Sequence, residues 1–267
     1  GFSMTLYERD AHWTLDARRT DAPAGALPES LLALPVTFEP APPQAGELTG
    51  KPVFVPVAAG IWSADQEDVD SRSLVVEFAD HLMLIEAPQN DMRALAVIAK
   101  ARELRPDKPL TQLVNSHHHF DHSGGIRAAI SEGLTIITHQ GNAALFEEMA
   151  KRPHTVVPDA LAKNAKPVKI ETVGDEKVVT DGTMTVNLYP VSGEHSETMI
   201  VAYFPRERLL VEADVYTPGG AVQMFAGRFL EELKKRNLRI DRIVPLHGKV
   251  VPYAQFVKEA TSPSPTS

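Results

Sequence analysis

The 267-residue chain contains no cysteine. That excludes disulfides and thiolate metal ligands together, and it leaves the redox compartment unspecified. Long apolar runs are also missing: nothing approaches the roughly eighteen consecutive apolar residues of a spanning helix. The N-terminus carries no charged-then-apolar leader, so no membrane partner is expected. Basic residues are too few and too dispersed for nucleic acid. Lys and Arg number 27 against 35 Asp and Glu, a formal charge of −8, and no Lys/Arg run gives a local patch for a phosphate backbone. No short-period repeat is present. Gly1-Phe2-Ser3 ahead of Met4 reads as an added remnant, which leaves localisation open: cytoplasmic, or exported with its leader absent. Oligomeric state is not legible.

What is present is an ordinary globular composition, 43% apolar and 23% charged, in a chain long enough to bury a substantial core. Prolines crowd the stretch from Asp21 to Pro52, where they remove backbone donors and forbid helix interiors. Residues 1–50 are therefore read as a proline-rich arm or the remnant of a preceding region, 51–260 as the working domain, and 261–267 ("TSPSPTS") as a disordered tail.

Within that domain "VFVPVA", "SLVVEF" and "HLMLIEA" read as antiparallel strands. A helix capped by Asn90 follows, with Met92, Leu95 and Ile98 as its apolar stripe. Further strands are expected at "LVN", "TIITH", "KIETV", "MTVNLYPVS", "TMIVAYFP", "RLLVEAD" and "RIVPLHG". Helices are expected at "GGIRAAIS", "NAALFEEMAK", "FLEELKKRN" and "YAQFVKEA". Strands and helices followed by strands and helices again predict an α/β (α+β) architecture: two packed sheets with helices on both outer faces.

The segment "NSHHHFDHSGG", residues 115–125, concentrates histidine as no other part of the chain does. On an extended segment, side chains one residue apart point the same way. His117 and His119 can thus reach one ion while His118 faces elsewhere. Asp121 and His122 follow where the chain turns into a helix and can serve a second ion. Gly124 and Gly125 are expected to let the backbone pass close to the metals. An expression tag does not sit mid-chain between a strand and a helix. Of the remaining histidines, His195 in "SGEHSET" and His247 in "PLHGK" lie at strand ends, as does Asp214 at the end of "LLVEAD". His12, His81, His139 and His154 lack such company and are read as structural, His139 coming nearest to an exception.

"HHHFDH" followed by His195, Asp214 and His247, in that order, resembles the metallo-β-lactamase superfamily over about residues 51–260. The resemblance implies a four-layer αβ/βα sandwich. It also implies that His117, His119 and His195 hold a first metal, that Asp121, His122 and His247 hold a second, and that Asp214 bridges them. Imidazole and carboxylate donors suit two Zn²⁺ ions, or Fe or Mn. A water shared by two ions is acidified towards neutrality, so the expectation is a hydrolase whose bridging hydroxide attacks the substrate, with Asp121 orienting it.

The absence of Cys together with the presence of Asp214 is more similar to the glyoxalase II and lactonase branches than to Cys-containing β-lactamases. Few residues follow His247, too few for a glutathione-gripping helical region. The substrate expected is a small ester, lactone or β-lactam, with phosphoesters as a promiscuous possibility. Alternatives are a mononuclear iron thiol oxidase similar to sulfur dioxygenases, or a binding protein that keeps its metals without turnover. For the pocket, Ile61 and Trp62 are expected in a flap loop, Tyr216 near the substrate carbonyl as a catalytic group, Lys249 near a substrate carboxylate, and residues 217–227 as a second wall.

Overall fold

The computed structural model describes the backbone of residues 2–8 and 11–17, and residues 51–65, 71–191, 193, 195–219 and 225–261 in full. The proline-rich stretch from 18 to 50 and the tail from 262 to 267 lie outside the described residues. Cα packing divides the chain into Gly1–Gln44 and Ala45–Ser267, a boundary a few residues before the one expected at position 50. In the first unit β1 (Phe2–Glu8) and β2 (Ala11–Ala17) form an antiparallel hairpin that pairs Met4 with Leu15 and Leu6 with Trp13. The strict alternation of "FSMTLYE" and "AHWTLDA" accounts for it, within the stretch read from sequence as an arm or the remnant of a preceding region.

The second unit begins with β3 (Val53–Ala58), β4 (Ile61–Asp65), β5 (Ser73–Glu77) and β6 (Leu82–Ile85), a run of antiparallel neighbours. Helix α1 (Asp91–Leu104) carries the chain to β7 (Leu110–Val114), and α2 (Phe120–Ser123) with α3 (Ile126–Ser131) to β8 (Thr135–His139). Helices α4 (Ala143–Lys151) and α5 (Ala160–Lys163) then lead to β9 (Ile170–Val173). These crossovers make the β6-β7-β8-β9 half of the first sheet parallel.

The second sheet is ordered β10 (Lys177–Thr180), β11 (Thr185–Val191), β12 (Met199–Phe204), β13 (Leu209–Glu212), β14 (Arg242–Pro245) and β15 (Val251–Pro252). Helix α6 (Ala226–Lys235) crosses over between β13 and β14, the sheet's only parallel pair among the described residues, and α7 (Tyr253–Ala260) is the last described element.

Strand periodicity explains the four layers. Every residue of β12 is buried. Ile200, Ala202 and Phe204 enter the core between the sheets, while Met199, Val201 and Tyr203 enter the core under α6 and α7. In the first sheet β6 does the same, sending Met83 and Ile85 between the sheets and Leu82 and Leu84 towards α1. Each fully buried side chain of this size contributes about 1.5–3 kcal/mol of transfer free energy. Asn90 caps α1 as expected, accepting from Arg93 N at 3.0 Å. The stripe differs: the buried face is Arg93, Ala94, Val97, Ile98 and Ala101, and Met92 is exposed, because small residues let α1 lie close to the sheet. Ile61 and Trp62 are not in a loop either. They belong to β4, Ile61 fully buried between the sheets and Trp62 packed towards α1 under the Arg105 guanidinium. The turn at Ala59-Gly60 ends before them, and pairing with β3 and β5 replaces the flap loop expected at Ile61 and Trp62.

The sheets are pinned together where their parallel strands end. Ile200 N donates to Ser116 O at 2.8 Å and Arg72 N to Leu246 O at 3.0 Å, while within the first sheet Glu86 N donates to Val114 O at 2.8 Å. Loops leaving β6, β7, β13 and β14 therefore open at one edge, the position where α/β sheets place their sites.

Candidate metal centre

Past Val114 the chain runs through buried Asn115 and Ser116 into the histidines. His117 is fully buried, His118 exposed and His119 half-buried, as strand alternation requires. His119 then occupies the position before α2, and Ser123 Oγ donates to its carbonyl at 2.9 Å, fixing the turn that presents Asp121 and His122. The two glycines serve packing, not metal approach. A Cβ at Gly124 would lie 1.9 Å from Gln89 O, and one at Gly125 2.4 Å from Ala94 Cβ. They are needed where the turn seats against the entry to α1.

The structure brings seven side chains into two donor clusters. His117, His119, His195 and Asp214 form one; Asp121, His122, His247 and Asp214 form the other, with donor atoms in each within 4.8 Å of one another. Asp214 Oδ2 stands 3.2 Å from His117 Nε2, 2.8 Å from His122 Nε2 and 3.1 Å from His195 Nε2, and Oδ1 stands 3.1 Å from His247 Nε2. Asp214 also adopts a left-handed backbone, φ 58°, unusual for a residue with a Cβ.

The donor chemistry fits divalent cations. Asp214 Oδ2 is buried and, among the described residues, meets no aligned hydrogen-bond donor despite three imidazole nitrogens within 3.2 Å. Nε2 atoms also face each other, His195 against His117 at 3.2 Å and His247 against His122 at 3.0 Å. Lone pairs converging on one another and on an orphaned carboxylate oxygen suit a cation between them. The two clusters are consistent with a dinuclear site sharing one carboxylate.

Behind the donors stands a group the sequence reading missed. Glu86, at the end of "HLMLIEA", is 1% exposed and takes φ 70°. Its Oε2 lies 2.5 Å from His122 Nδ1 and accepts from Ser116 Oγ at 2.8 Å, while Oε1 accepts from Ser116 N at 2.7 Å. Ser116 Oγ spends its one proton on Glu86. It must therefore accept from His117 Nδ1, 3.0 Å away. One buried carboxylate thus places a proton on Nδ1 of both His117 and His122 and leaves both Nε2 atoms facing the site. A Glu closing an apolar strand was the available signal, and only its distance to histidines thirty or more positions later makes it legible.

Electrostatics separate the members. Burial disfavours the His122 imidazolium, yet Asp214 and Glu86 outweigh it and push its pKa up to about 10. Burial, then the neighbouring imidazoles, hold His119 below the ordinary histidine range, and burial does the same for His195. Burial would raise Asp214, but His117, His122 and His247 hold it far below the usual carboxylate range. Glu212, fully buried beneath Asp214, is pushed by burial up to about 8.

Tyr216 corrects the sequence expectation. Its ring is 2% exposed and packs on Phe256, and its hydroxyl donates to Glu259 in α7 at 2.7 Å, so it offers no free hydroxyl to a substrate. Lys249 is exposed. Of the segment 217–227, Pro218 packs on Gly248, and residues 220–224 lie outside the described residues. A ring beside the donors went unnoticed in the sequence: Phe225, 5.9 Å from the His195 ring; Phe120, between His119 and Asp121 in the chain, is 78% exposed. His139 has a local structural role, accepting from Gly141 N at 3.0 Å; His81 stacks on Phe78, and His154 pairs with Asp159. The side chain of His12 lies outside the described residues.

Comparison with known proteins agrees with this geometry. The family described as the metallo-beta-lactamase superfamily matches residues 68–245. A metallo-beta-lactamase type 2 of Bacillus sp. (strain 170) is 26% identical over 213 residues, 75% of this chain and 74% of that protein. A linear primary-alkylsulfatase of Pseudomonas sp. is 22% identical over 232 residues, 81% of this chain but only 33% of that longer protein. Among solved structures, the metallo-beta-lactamase of Hirschia baltica superposes with a TM-score of 0.59 at 18% identity, covering 78% of this chain and 96% of that one. The FIM-1 enzyme of Pseudomonas aeruginosa in its mono-zinc form gives 0.60 at 18% identity, covering 81% and 96%. The two structural matches establish the sandwich fold; the four together leave the branch unresolved.

Proposed function

The chain belongs to the metallo-β-lactamase superfamily, and from that premise we propose that it is a dizinc hydrolase of small ester-like substrates: lactones, β-lactams or activated esters, with phosphoesters as secondary substrates. His117, His119 and His195 would hold the first ion, Asp121, His122 and His247 the second, and Asp214 both; Fe or Mn suits the same donors. The observation that carries this reading is the pair of donor clusters sharing Asp214, with its buried Oδ2 orphaned. When bound, the ions acidify water and polarise the substrate oxygen.

The remaining work falls to the chain's own groups. Asp121, its carboxylate one-third exposed, accepts a proton from the attacking water and orients it. Glu86 keeps both Nδ1 protons in place. Phe225, its ring 5.9 Å from that of His195, gives the substrate an apolar wall beside the first cluster, which favours a substrate with an apolar body. The sequence pattern without Cys and with Asp214 supports a lactone over a β-lactam, and the β-lactamase relatives support the opposite preference.

The test is elemental analysis of protein purified without added metal, followed by a panel of lactones, cephalosporins, thioesters, aryl esters and phosphotriesters. Two zinc ions per chain and turnover of at least one acyl class are expected. One iron per chain with O₂ uptake would replace this reading with thiol oxidation. Two ions with no turnover on any class would replace it with binding.

A further inference from the structure

Asn142 stands one residue before α4, where an asparagine is ordinarily explained as a helix cap. Here that explanation fails, because its side chain makes no capping hydrogen bond. The side chain is instead 98% buried, with 2% of its surface exposed, and its amide donates in two directions: to Thr198 O at 3.0 Å and to Thr138 Oγ1 at 3.3 Å. Thr138 Oγ1 donates on to Asn115 Oδ1 at 3.3 Å. Asn115 Nδ2 reaches His122 O at 3.2 Å and Glu86 Oε1 at 3.5 Å. Thr138 and Asn115 are both fully buried. A polar chain therefore crosses the core from the carboxylate behind His122 to the loop that carries His195, three residues before Thr198.

The same turn is shaped to receive that loop. Gly141 has an ordinary backbone, but a Cβ there would lie 2.7 Å from Thr198 Cγ2, so only glycine allows the approach. On its other side Thr198 Oγ1 lies 3.2 Å from His118 Nδ1. Thr198 is thus held by its carbonyl, its methyl and its hydroxyl. Among the described residues His195 has no carboxylate behind it comparable to Glu86 behind His122. A 26%-exposed imidazole on a loop keeps its place only if the loop does.

We propose that Asn142, with Gly141 supplying the clearance, is a positioning residue that sets His195 and thereby the affinity of the first metal cluster, selectively over the second. This rests on the reading of the two clusters as metal sites. Neither residue touches a donor atom; both act through Thr198.

The test is a competition titration of the full chain with Zn²⁺ against a chromophoric chelator, repeated with Co²⁺ to read the visible spectrum of each site. The step belonging to the first ion is assigned as the one lost in His119→Ala. In Asn142→Ala the first ion should bind about 10–100-fold more weakly, with an altered first-site Co²⁺ spectrum, while the second stays within about twofold. Gly141→Ala should reproduce the pattern by displacing Thr198. Asn164→Ala, which removes an amide bond to Ser131 O elsewhere on the surface, should change neither step. If Asn142→Ala does not fold, Gly141→Ala, which displaces Thr198 without cutting the Thr138–Asn115 link, carries the comparison by itself. Wild-type affinity for both ions in the Asn142 and Gly141 variants overturns the proposal, as does equal weakening of both. An unmodified chain that binds no ion overturns the metal reading itself, and the proposal with it.

Discussion

The two donor clusters share a carboxylate and little else. The second is built around His122, fully buried, with a carboxylate on each ring nitrogen: Glu86 at Nδ1 and Asp214 at Nε2. The first has buried His117 backed by a hydroxyl, and His119 and His195 partly open, the latter on a tethered loop. Carboxylates make the second cluster basic, and imidazole neighbours with burial make the first one less so. The difference teaches that similar ligand sets need not load together. In the first cluster His119 and His195 are unprotonated at neutral pH, whereas in the second His122 must surrender a proton to receive its ion.

The shared carboxylate is where the contrast breaks most severely. Asp214→Ala leaves each cluster with three donors and removes the negative charge between two cations. One ion should be lost and the hydrolytic rate should fall on the order of a thousandfold, since several kcal/mol of transition-state stabilisation go with it. Zinc per chain and initial rates on the best substrate of the panel check this. An unchanged metal count would remove Asp214 from the centre.

Glu86→Gln should erase the asymmetry. The amide cannot stabilise an imidazolium, so the His122 pKa should fall from about 10 towards the ordinary range. Affinity for the second ion should drop about 10–100-fold. Calorimetry in buffers of different ionisation enthalpy counts the protons: the native chain should release about one on taking up the second ion at pH 7, and the variant fewer, Asp214 alone remaining to hold the imidazolium.

The pH dependence follows with its sign. In the metal-free chain His122 has a folded pKa raised from 6.5 to about 10. The stability it contributes is complete below 6.5 and is lost as pH rises through 10. Metal binding runs the other way, because protons compete for Nε2. Second-ion affinity should rise about tenfold per pH unit up to about 10, while His119 and His195, held below 6.5, impose no such slope on the first ion above that pH. Dialysis at stepwise lower pH should therefore take the chain from two ions to one before any loss from one to none.

Much of this was legible in the sequence because it rests on short-range pattern. The alternation that separates His118 from His117 and His119 is a property of one extended segment, and the αβ/βα layering is a property of element order. Strand β4 was misread because Ile61 and Trp62 take their conformation from neighbours on both sides. Tyr216 was misjudged because proximity in sequence to Asp214 says nothing about rotation: the strand end puts Asp214 into the site and the ring into the core under α7. Glu86 and Asn142 were silent for a different reason. A supporting residue is defined by distance to something far away in the chain, and the left-handed backbone of Glu86 and Asp214 leaves no mark on composition.

The smallest expected effect concerns the histidine that the alternation sets aside. His118 is exposed, and its Nδ1 lies 3.2 Å from Thr198 Oγ1 and 3.4 Å from Ser196 Oγ, both of which water can satisfy in its place. A replaceable surface hydrogen bond is worth about 0.5–1.5 kcal/mol, so His118→Ala should cost at most roughly tenfold in first-ion affinity, well short of His119→Ala. The direction also matters. His118 holds the His195 loop from the solvent side and Asn142 holds it from the core, so the small loss should fall on the first ion and leave the second untouched. Equal losses in His118→Ala and His119→Ala would mean that the segment is not extended as its burial pattern shows. A loss confined to the second ion would mean that Thr198 does not belong to the first cluster's support.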